Sequence, residues 1–238
     1  MKRAAGWLLA GAAALGFLLP LLWMLHASFR PEPAVFQGGW APLLDFRGLH
    51  LGHYADAWRR ASLATGLLNS LLQVAGILGL GLLFNSLAAY ALGRRPLFAL
   101  VIVLIILPVE VLAVPLLLTV RDLGLVGGHA RTLAALVLPF AVKAFNIYFL
   151  RQHFLALPRD LEEAAVVDGA GPFRIYWSVA LPAIRPALAT VLVLDLLTHW
   201  SDFIWPLIIC TREETRTVQI SLANLFTQPP VQWGDILA

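Results

Sequence analysis

A polar segment set between two apolar runs decides the fold class of this chain. Residues 157–182 read LPRDLEEAAVVDGAGPFRIYWSVALP. Pro158 suits the first turn of a helix, and the acids that follow it favour the positive end of that helix's dipole. Gly169 and Gly171 permit a sharp reversal of the chain, and Pro172 suits the start of another helix. The segment is therefore predicted to form two short helices joined by a glycine turn, projecting from a membrane between two spans.

The side chains of this segment allow two interpretations. Phe173, Tyr176 and Trp177 share one helix face at i, i+3, i+4 spacing, as in an ordinary interfacial loop whose aromatic rings rest on lipid headgroups. That interpretation does not account for the small residues beside the acid Glu163, which are Ala164, Ala165 and Ala170. Small side chains let another backbone approach closely, and a carboxylate can meet an arginine or lysine of a partner. A protein-docking segment accounts for both features.

The composition requires lipid as a solvent. The chain is 60% hydrophobic and 13% charged, whereas soluble domains are about 45–50% apolar and about 25% charged. The net charge of +3 comes from scattered arginines that form no stripe, which excludes a nucleic-acid binder. With one cysteine the chain can form no intrachain disulfide, and no Cys/His cluster has the spacing of metal ligands.

Five apolar runs are long enough to cross a bilayer core of about 30 Å at about 1.5 Å per residue. Backbone groups in lipid must be bonded within the segment, so the runs are predicted to be helices, and no alternating pattern indicates a barrel. The runs are residues 6–25, 67–92, 97–120, 133–150 and 184–210. The first follows Lys2 and Arg3, as in a signal peptide, but it exceeds the usual core of about 7–15 residues. We expect a retained anchor.

These runs divide the chain into three predicted parts. Residues 1–26 form the first anchor. Residues 27–64 hold prolines, glycines and aromatic residues, and form a loop outside the membrane with a short amphipathic helix at 53–61. Residues 65–238 form the membrane core and include the projecting segment 158–182. Lysine and arginine near the span ends divide eight against eight between the two sides, so charge alone does not orient the chain.

Prolines and ionisable residues inside the runs are candidates for a transport route. Pro108, Pro115 and Pro139 bend helices, which occurs beside water-filled paths and equally at packing kinks. Glu110 is costly in lipid, so it faces a water path or is a structural, hydrogen-bonded or protonated acid. Lys143, nearer the end of the fourth run, is expected to be structural and could snorkel to the interface.

The projecting segment closely resembles the EAA loop of ABC importer permeases. The pattern of that loop is Glu-Ala-Ala, two residues, Asp-Gly-Ala and later an apolar residue before Leu-Pro. The matching positions are Glu163, Ala164, Ala165, Asp168, Gly169, Ala170, Leu181 and Pro182. The match covers residues 163–182 with the correct internal spacing.

Other stretches are similar to the carbohydrate-uptake branch of these permeases, and to the second permease of maltose-type transporters. Asn69-Ser70 opens the second run, and Arg121-Asp122-Leu123-Gly124-Leu125 follows the third. Residues 199–207 resemble the Trp-Asn-Asp-Phe-x-Trp-Pro stretch of that branch, with Ser201 in place of the usual asparagine. The resemblance covers nearly the whole chain.

The resemblance implies an all-α fold, a polytopic transmembrane helical bundle of the type I ABC importer permease kind. Such permeases have six spans, whereas five are visible, and the chain stops at Ala238 where the sixth should begin; we expect truncation. The eight matching residues are expected to dock into a cleft on the ATPase subunit. That loop is cytoplasmic in the family, which places the N-terminus inside and residues 27–64 outside a bacterial or archaeal cytoplasmic membrane.

The implied partners are an ABC ATPase dimer, a second permease subunit and an extracytoplasmic solute-binding protein, besides the lipid bilayer. ATP and magnesium belong to the ATPase subunits, so no cofactor, metal site or catalytic residue is assigned to this chain. A sugar is the expected solute, with glycerol-3-phosphate or another polar solute as the alternative. The candidates for a pathway or gating role are Pro108, Glu110, Trp200 and Asp202.

Two other classes fit the sequence less well. A membrane-embedded enzyme needs a nucleophile–base pair or clustered aspartates in its spans, and the chain carries no phosphate-binding loop, Gly-x-Ser-x-Gly or His-Glu-x-x-His motif. A secondary transporter is expected to show internal repeats and several buried acids, of which Glu110 is one candidate.

Overall fold

The computed structural model describes residues 2–37, 48–93, 97–106 and 109–238, and for residues 2–5, 8, 109 and 110 it describes the backbone alone. Throughout these residues the regular structure is helical, which confirms the predicted all-α class. The α-helices are α1 Lys2–Ser28, α2 Gly52–Arg60, α3 Leu63–Leu92, α4 Phe98–Ile106, α5 Val109–Asp122, α6 His129–Val137, α7 Ala144–Leu155, α8 Arg159–Val167, α9 Pro172–Ile175, α10 Leu181–Ala183, α11 Arg185–Trp200, α12 Ile204–Ile209, α13 Val218–Asn224 and α14 Trp233–Leu237.

The described helices include two that are long and apolar enough to cross a membrane, Leu9–Ser28 and Leu63–Leu92. Three further candidate spans are bent pairs, which are Phe98–Ile106 with Val111–Asp122, His129–Phe140 with Ala144–Leu155 at 50°, and Pro172–Ala183 with Arg185–Trp200 at 75°. By length and composition, the described residues therefore hold up to five spans. The bend of 50° in the fourth candidate span, which carries Pro139, agrees with the expectation that prolines bend these helices.

The prediction that the fifth run forms one helix is wrong. Residues 184–210 do not form one helix, since α11 ends at Trp200 and the separate helix α12 starts at Ile204. Ser201 and Asp202 interrupt the apolar run and leave the helical conformation. The bend expected at Pro108 lies outside the described residues.

The chain forms two compact units, residues 65–219 and residues 1–64 with 220–238. The core of the 65–219 unit brings α3, α4, α7 and α11 together around Tyr176. Its buried side chains include Ala89, Phe98, Ile147, Leu150, Tyr176, Ala180 and Val191. Small residues let backbones approach in this unit, since a β-carbon at Gly81 would lie 3.3 Å from the Ala141 carbonyl oxygen.

At the break in the fourth span, side chains of the same unit form hydrogen bonds with the backbone groups that lack helical partners. Pro139 has no N–H, so the Ala135 carbonyl lacks its usual helical donor, and the indole Nε1 of Trp205 donates to that carbonyl at 3.1 Å. Asn85 donates to the Ala141 carbonyl at 3.3 Å and accepts from the Lys143 N–H at 2.9 Å. A proline break between apolar helices is thereby left with paired backbone groups.

The unit of residues 1–64 and 220–238 is held by ionic and polar contacts between sequence-distant segments. Asp235, with its side chain 1% exposed, lies 2.9 Å from His53 Nδ1 and 2.7 Å from Arg60. The Glu32 carboxylate accepts the backbone N–H groups of Trp233 and Gly234. A β-carbon at Gly234 would collide with the His53 ring, so this position requires glycine. Together these contacts fix α14 against α2.

Candidate functional site

The projecting segment has the predicted helix–turn–helix form. Helix α8 ends at Val167, and Gly169 follows with φ of +78°, a conformation that glycine adopts without strain. The Ala170 N–H donates to the Ala165 carbonyl and the Gly169 N–H to the Val166 carbonyl, both at 2.9 Å. This is a Schellman ending of a helix, and it turns the chain sharply into α9, which begins at Pro172 as predicted.

Helix α8 presents its side chains outward. It contains no buried residue, and Glu163 and Ala164 are exposed. Apolar side chains of the same segment are exposed too, including Val167 at 88% and Phe173 at 71%. Small, apolar and acidic residues on one exposed segment form a surface suited to another protein.

A groove lies at the base of α8. Its volume is about 470 Å³, and its lining is part apolar and part charged. The lining residues are Tyr90, Ala91, Gly93, Phe154, Leu155, Leu157, Arg159, Glu162 and Glu163. Glu163 therefore stands at the edge of a cleft formed by the ends of α3 and α7.

Tyr176 anchors the segment to the core. Its hydroxyl is hydrogen-bonded to Ser86 Oγ on α3 at 2.7 Å. The ring is 2% exposed and packs 5.3 Å from the ring of Tyr90. The interpretation that places Tyr176 on lipid headgroups is wrong, because its side chain is buried against the core, whereas Phe173 on the same face is exposed. Trp177 is 54% exposed.

Two short helical segments connect Tyr176 to α11. Residues Tyr176–Ala180 form a π-helical turn that leads into α10, and Pro182 lies in α10. The chain then bends by 75° into α11. Tyr176 and Leu181 are both packed against the core, so this stretch is held to the same cluster as α11.

Replacing Tyr176 by phenylalanine is expected to lower the free energy of unfolding by about 1 kcal/mol, because one buried hydrogen bond is lost. Thermal unfolding of the solubilised protein measures the loss. Ser86→Ala is the matched variant, and the double variant should cost no more than the larger single effect. Full additivity of the two would show that the two hydroxyls do not act on each other.

A buried ionic network crosses the same core. Asp195 on α11 accepts from Lys143 Nζ and from Asn146 Nδ2, each at 2.7 Å. The Asp195 side chain is 7% exposed and that of Lys143 is 26% exposed. The structural role expected of Lys143 takes the form of an ion pair with an acid inside the unit.

The candidates for the pathway are not all placed. Pro108 lies outside the described residues, and Glu110 is described by its backbone in α5 alone. Trp200 ends α11, where its carbonyl accepts from Gln219 at 3.3 Å. Asp202 lies in the break before α12 and lines a cavity together with Lys143 and His199.

Reasoning from the sequence misses the burial of several polar residues in α3 and α11. Asp195 and His199, one helical turn apart, are both buried in α11, and Asn69 and Gln73 repeat that spacing in α3. Asn69 donates to the carbonyls of Glu214 and Arg216, which holds the polar stretch after α12 against α3. The signal that could find them is polar residues at i, i+4 within apolar runs, since such residues face the protein interior.

Comparison with known proteins identifies the class. Residues 77–231, more than half of the chain, match the family described as binding-protein-dependent transport system inner membrane component. The chain belongs to this family of transport permeases, which confirms the resemblance drawn from the EAA pattern and places the chain in a membrane that it crosses more than once.

Individual relatives agree with that class. The chain is 35% identical to the arabinooligosaccharides transport system permease protein of Halalkalibacterium halodurans, over 100% of this chain and 89% of the relative. It is 29% identical to the sn-glycerol-3-phosphate transport system permease protein of Yersinia pestis, over 93% and 82% of the two chains. A bacterial ABC transporter that imports the acidic polysaccharide alginate has the same fold, with a TM-score of 0.82 at 25% identity over 99% of this chain and 88% of that one. The predicted type of helical bundle is confirmed.

Proposed function

We propose that this chain is the membrane-spanning subunit of an ABC importer that moves a sugar or a related solute into the cytoplasm. Its partners follow from that class: an ATPase dimer, a second permease subunit and an extracytoplasmic binding protein. The support for a carbohydrate is the similarity to an arabinooligosaccharide permease and to an alginate importer. Glycerol-3-phosphate is the second candidate, since a permease for that solute is 29% identical.

The observation that carries the coupling proposal is the exposed α8 with its anchored continuation. Glu163 is exposed at the edge of the groove, whereas Tyr176 is buried and hydrogen-bonded to α3. In this proposal Glu163 supplies the charged contact, the alanines the close fit and Gly169 the turn. ATP binding closes the two ATPase subunits, the docked segment moves, and α11 tilts with it, so that the pathway changes from inward-open to outward-open.

The coupling proposal also orients the chain. If α8 docks on an ATPase, residues 158–182 are cytoplasmic. The N-terminus is then cytoplasmic as well, and residues 27–64 face the extracytoplasmic binding protein.

Replacing Glu163 by glutamine is expected to weaken retention of the ATPase by about tenfold or more, since hydrogen bonds to charged groups contribute about 1.5–3 kcal/mol. Solute uptake into reconstituted vesicles should fall with it. The measurements are ATPase co-purification and initial uptake rate. A Gly169→Val variant, which strains the left-handed turn, should lower both as well.

The matched control is Asp122→Asn, which removes an exposed carboxylate at the end of α5, outside the docking segment. It should leave retention and uptake at the wild-type level. Unchanged co-purification and uptake in the Glu163→Gln and Gly169→Val variants would show that α8 is not the docking element.

A further inference from the structure

The buried ring of His53 has a hydrogen-bond acceptor on both sides. The residue is 7% exposed, and its Nδ1 lies 2.9 Å from the Asp235 carboxylate while its Nε2 lies 2.9 Å from the Arg30 carbonyl oxygen. Arg60 donates to the other carboxylate oxygen of Asp235 at 2.7 Å, which favours the ionised acid, and an ionised acid can only accept. A backbone carbonyl also can only accept. Both ring nitrogens must therefore carry a proton, so the ring is an imidazolium.

The charges around the ring agree with a cation at this position. Two acids meet here, because Asp235 contacts the ring and Glu32 accepts the Gly234 N–H at 2.8 Å. Gly234 lies against the His53 ring, since a β-carbon there would collide with it. Arg60 supplies one positive charge, and a doubly protonated His53 supplies the second charge that balances the two acids.

The other charged or titratable groups nearby have partners of their own. The His50 ring centroid lies 4.7 Å from that of His53, and His50 Nδ1 accepts a backbone N–H at 3.3 Å, so that nitrogen carries no proton. The Arg30 guanidinium donates to a backbone carbonyl at 3.4 Å. Asp56 pairs with Arg59 on the exposed side of α2. His53 is thus the buried histidine of the cluster, and histidine is the side chain whose ordinary charge change falls near neutral pH.

We propose that His53 is a pH-sensitive contact that holds the unit of residues 1–64 and 220–238 together. With two protons, the ring joins the segment after α1 to α14, through the Arg30 carbonyl and Asp235. When one proton leaves as pH rises, the remaining N–H stays with the carboxylate, because a hydrogen bond to an ionised acceptor is the stronger one. The other nitrogen then turns a lone pair toward the Arg30 carbonyl oxygen, and this contact becomes repulsive.

The expected change is a local loosening. Two further contacts hold the same segment to the start of α2, since Ser28 Oγ lies 2.8 Å from the Tyr54 hydroxyl and the His50 N–H donates to the Phe29 carbonyl at 2.9 Å. Neither contact depends on the His53 ring. The inference rests on the importer function proposed above, in which this unit faces the extracytoplasmic binding protein, and it adds a regulation by external pH.

Nitrogen-15 NMR of the histidine-labelled protein in lipid vesicles tests the protonation. At about pH 5.5 the wild-type spectrum should contain an imidazolium signal that His53→Gln removes. At about pH 8.5 the signal removed by the same substitution should be that of a neutral ring with its proton on Nδ1. A neutral His53 ring at both pH values would overturn the proposal.

Limited proteolysis measures the structural consequence. Cleavage within residues 28–37 of the solubilised protein, relative to an unstructured reference peptide, should rise about tenfold from about pH 5.5 to about pH 8.5, since a buried hydrogen bond from a charged group is lost. His53→Gln should give the same relative rate at both pH values. His50→Gln, which changes the exposed neighbouring ring, should keep the wild-type dependence on pH.

Asp235→Asn decides the question if the His53 variant does not fold. Its amide keeps the shape of the acid, can accept from Arg60 and can donate to an unprotonated Nδ1, so a neutral ring then satisfies both neighbours. The dependence of cleavage on pH should therefore disappear. Relative cleavage of the wild type that does not change with pH, or a change that Asp235→Asn retains, would overturn the pH-sensitive contact and leave the importer function standing. Absence of sugar uptake would instead contradict the carbohydrate function and leave these two measurements unaffected.

Discussion

Asp195→Leu is expected to lower the free energy of unfolding of the 65–219 unit by about 3 kcal/mol. Removing one partner of a buried ion pair costs about 3–5 kcal/mol, because the other charge stays buried and unpaired. The lower end of that range applies here, since the Lys143 side chain is 26% exposed and can still meet some solvent. Asn146 also loses the acceptor that it reaches at 2.7 Å. Thermal or detergent-induced unfolding of the purified protein gives the value.

A second substitution shows where that loss comes from. Lys143→Met in the Asp195→Leu background removes the unpaired charge, so it should restore most of the lost stability, though Asn146 remains unsatisfied. Lys143→Met alone should also destabilise, since the buried Asp195 then loses its charged partner and keeps the contact with Asn146. An Asp195→Leu protein as stable as the wild type would contradict the role of this pair.

Asp235→Ala is expected to cost about 3 kcal/mol in the other unit, by the same reasoning, since the Arg60 side chain is 25% exposed. The side chain is 1% exposed and contacts both His53 and Arg60, so both lose a partner. The readout is the rate of limited proteolysis within residues 48–64 and 220–238, together with thermal unfolding. Faster cleavage there, with the 65–219 unit still protected, is the expected pattern.

Helix α2, which carries His53 and Arg60, also provides a control for the effect of burial. Asp56 pairs with Arg59 at 2.7 Å, the distance at which Asp235 pairs with Arg60, but its side chain is 47% exposed and that of Arg59 is 75% exposed. Exposed ion pairs three or four residues apart on a helix contribute about 0.2–0.5 kcal/mol. Asp56→Ala should therefore change stability very little. Equal costs for the two substitutions would contradict burial as the cause.

Local chemistry explains what can be predicted from the sequence. The ending of α8 depends on Gly169 and the start of α9 on Pro172, and each residue acts through its own backbone geometry. The EAA pattern and the apolar runs are likewise contiguous, so they indicate the class of protein and five candidate spans.

Tertiary pairing explains what cannot be predicted. Lys143 and Asp195 are 52 residues apart, and Tyr176 and Ser86 are 90 residues apart, so no spacing within one helix indicates either pair. The helical spacing predicts which face of the helix carries Tyr176, but it does not predict that Ser86 lies against this residue. The fifth run resembles one continuous helix because most of its residues are apolar, yet Ser201 and Asp202 interrupt it. Asp195 itself is recognisable as an acid inside an apolar run.

The pairing of Asp235 with His53 has a consequence for how the protein is made. The two residues are 182 positions apart, and Glu32 accepts from backbone groups 201 and 202 positions later. During synthesis α1 and α2 emerge long before α14, so this unit cannot complete its polar contacts until α14 has left the ribosome. Until then His53, Arg60 and Glu32 lack the partners that the finished unit provides. A ribosome that stalls before Gly234 would therefore leave the part of the protein that is translated first open to proteases.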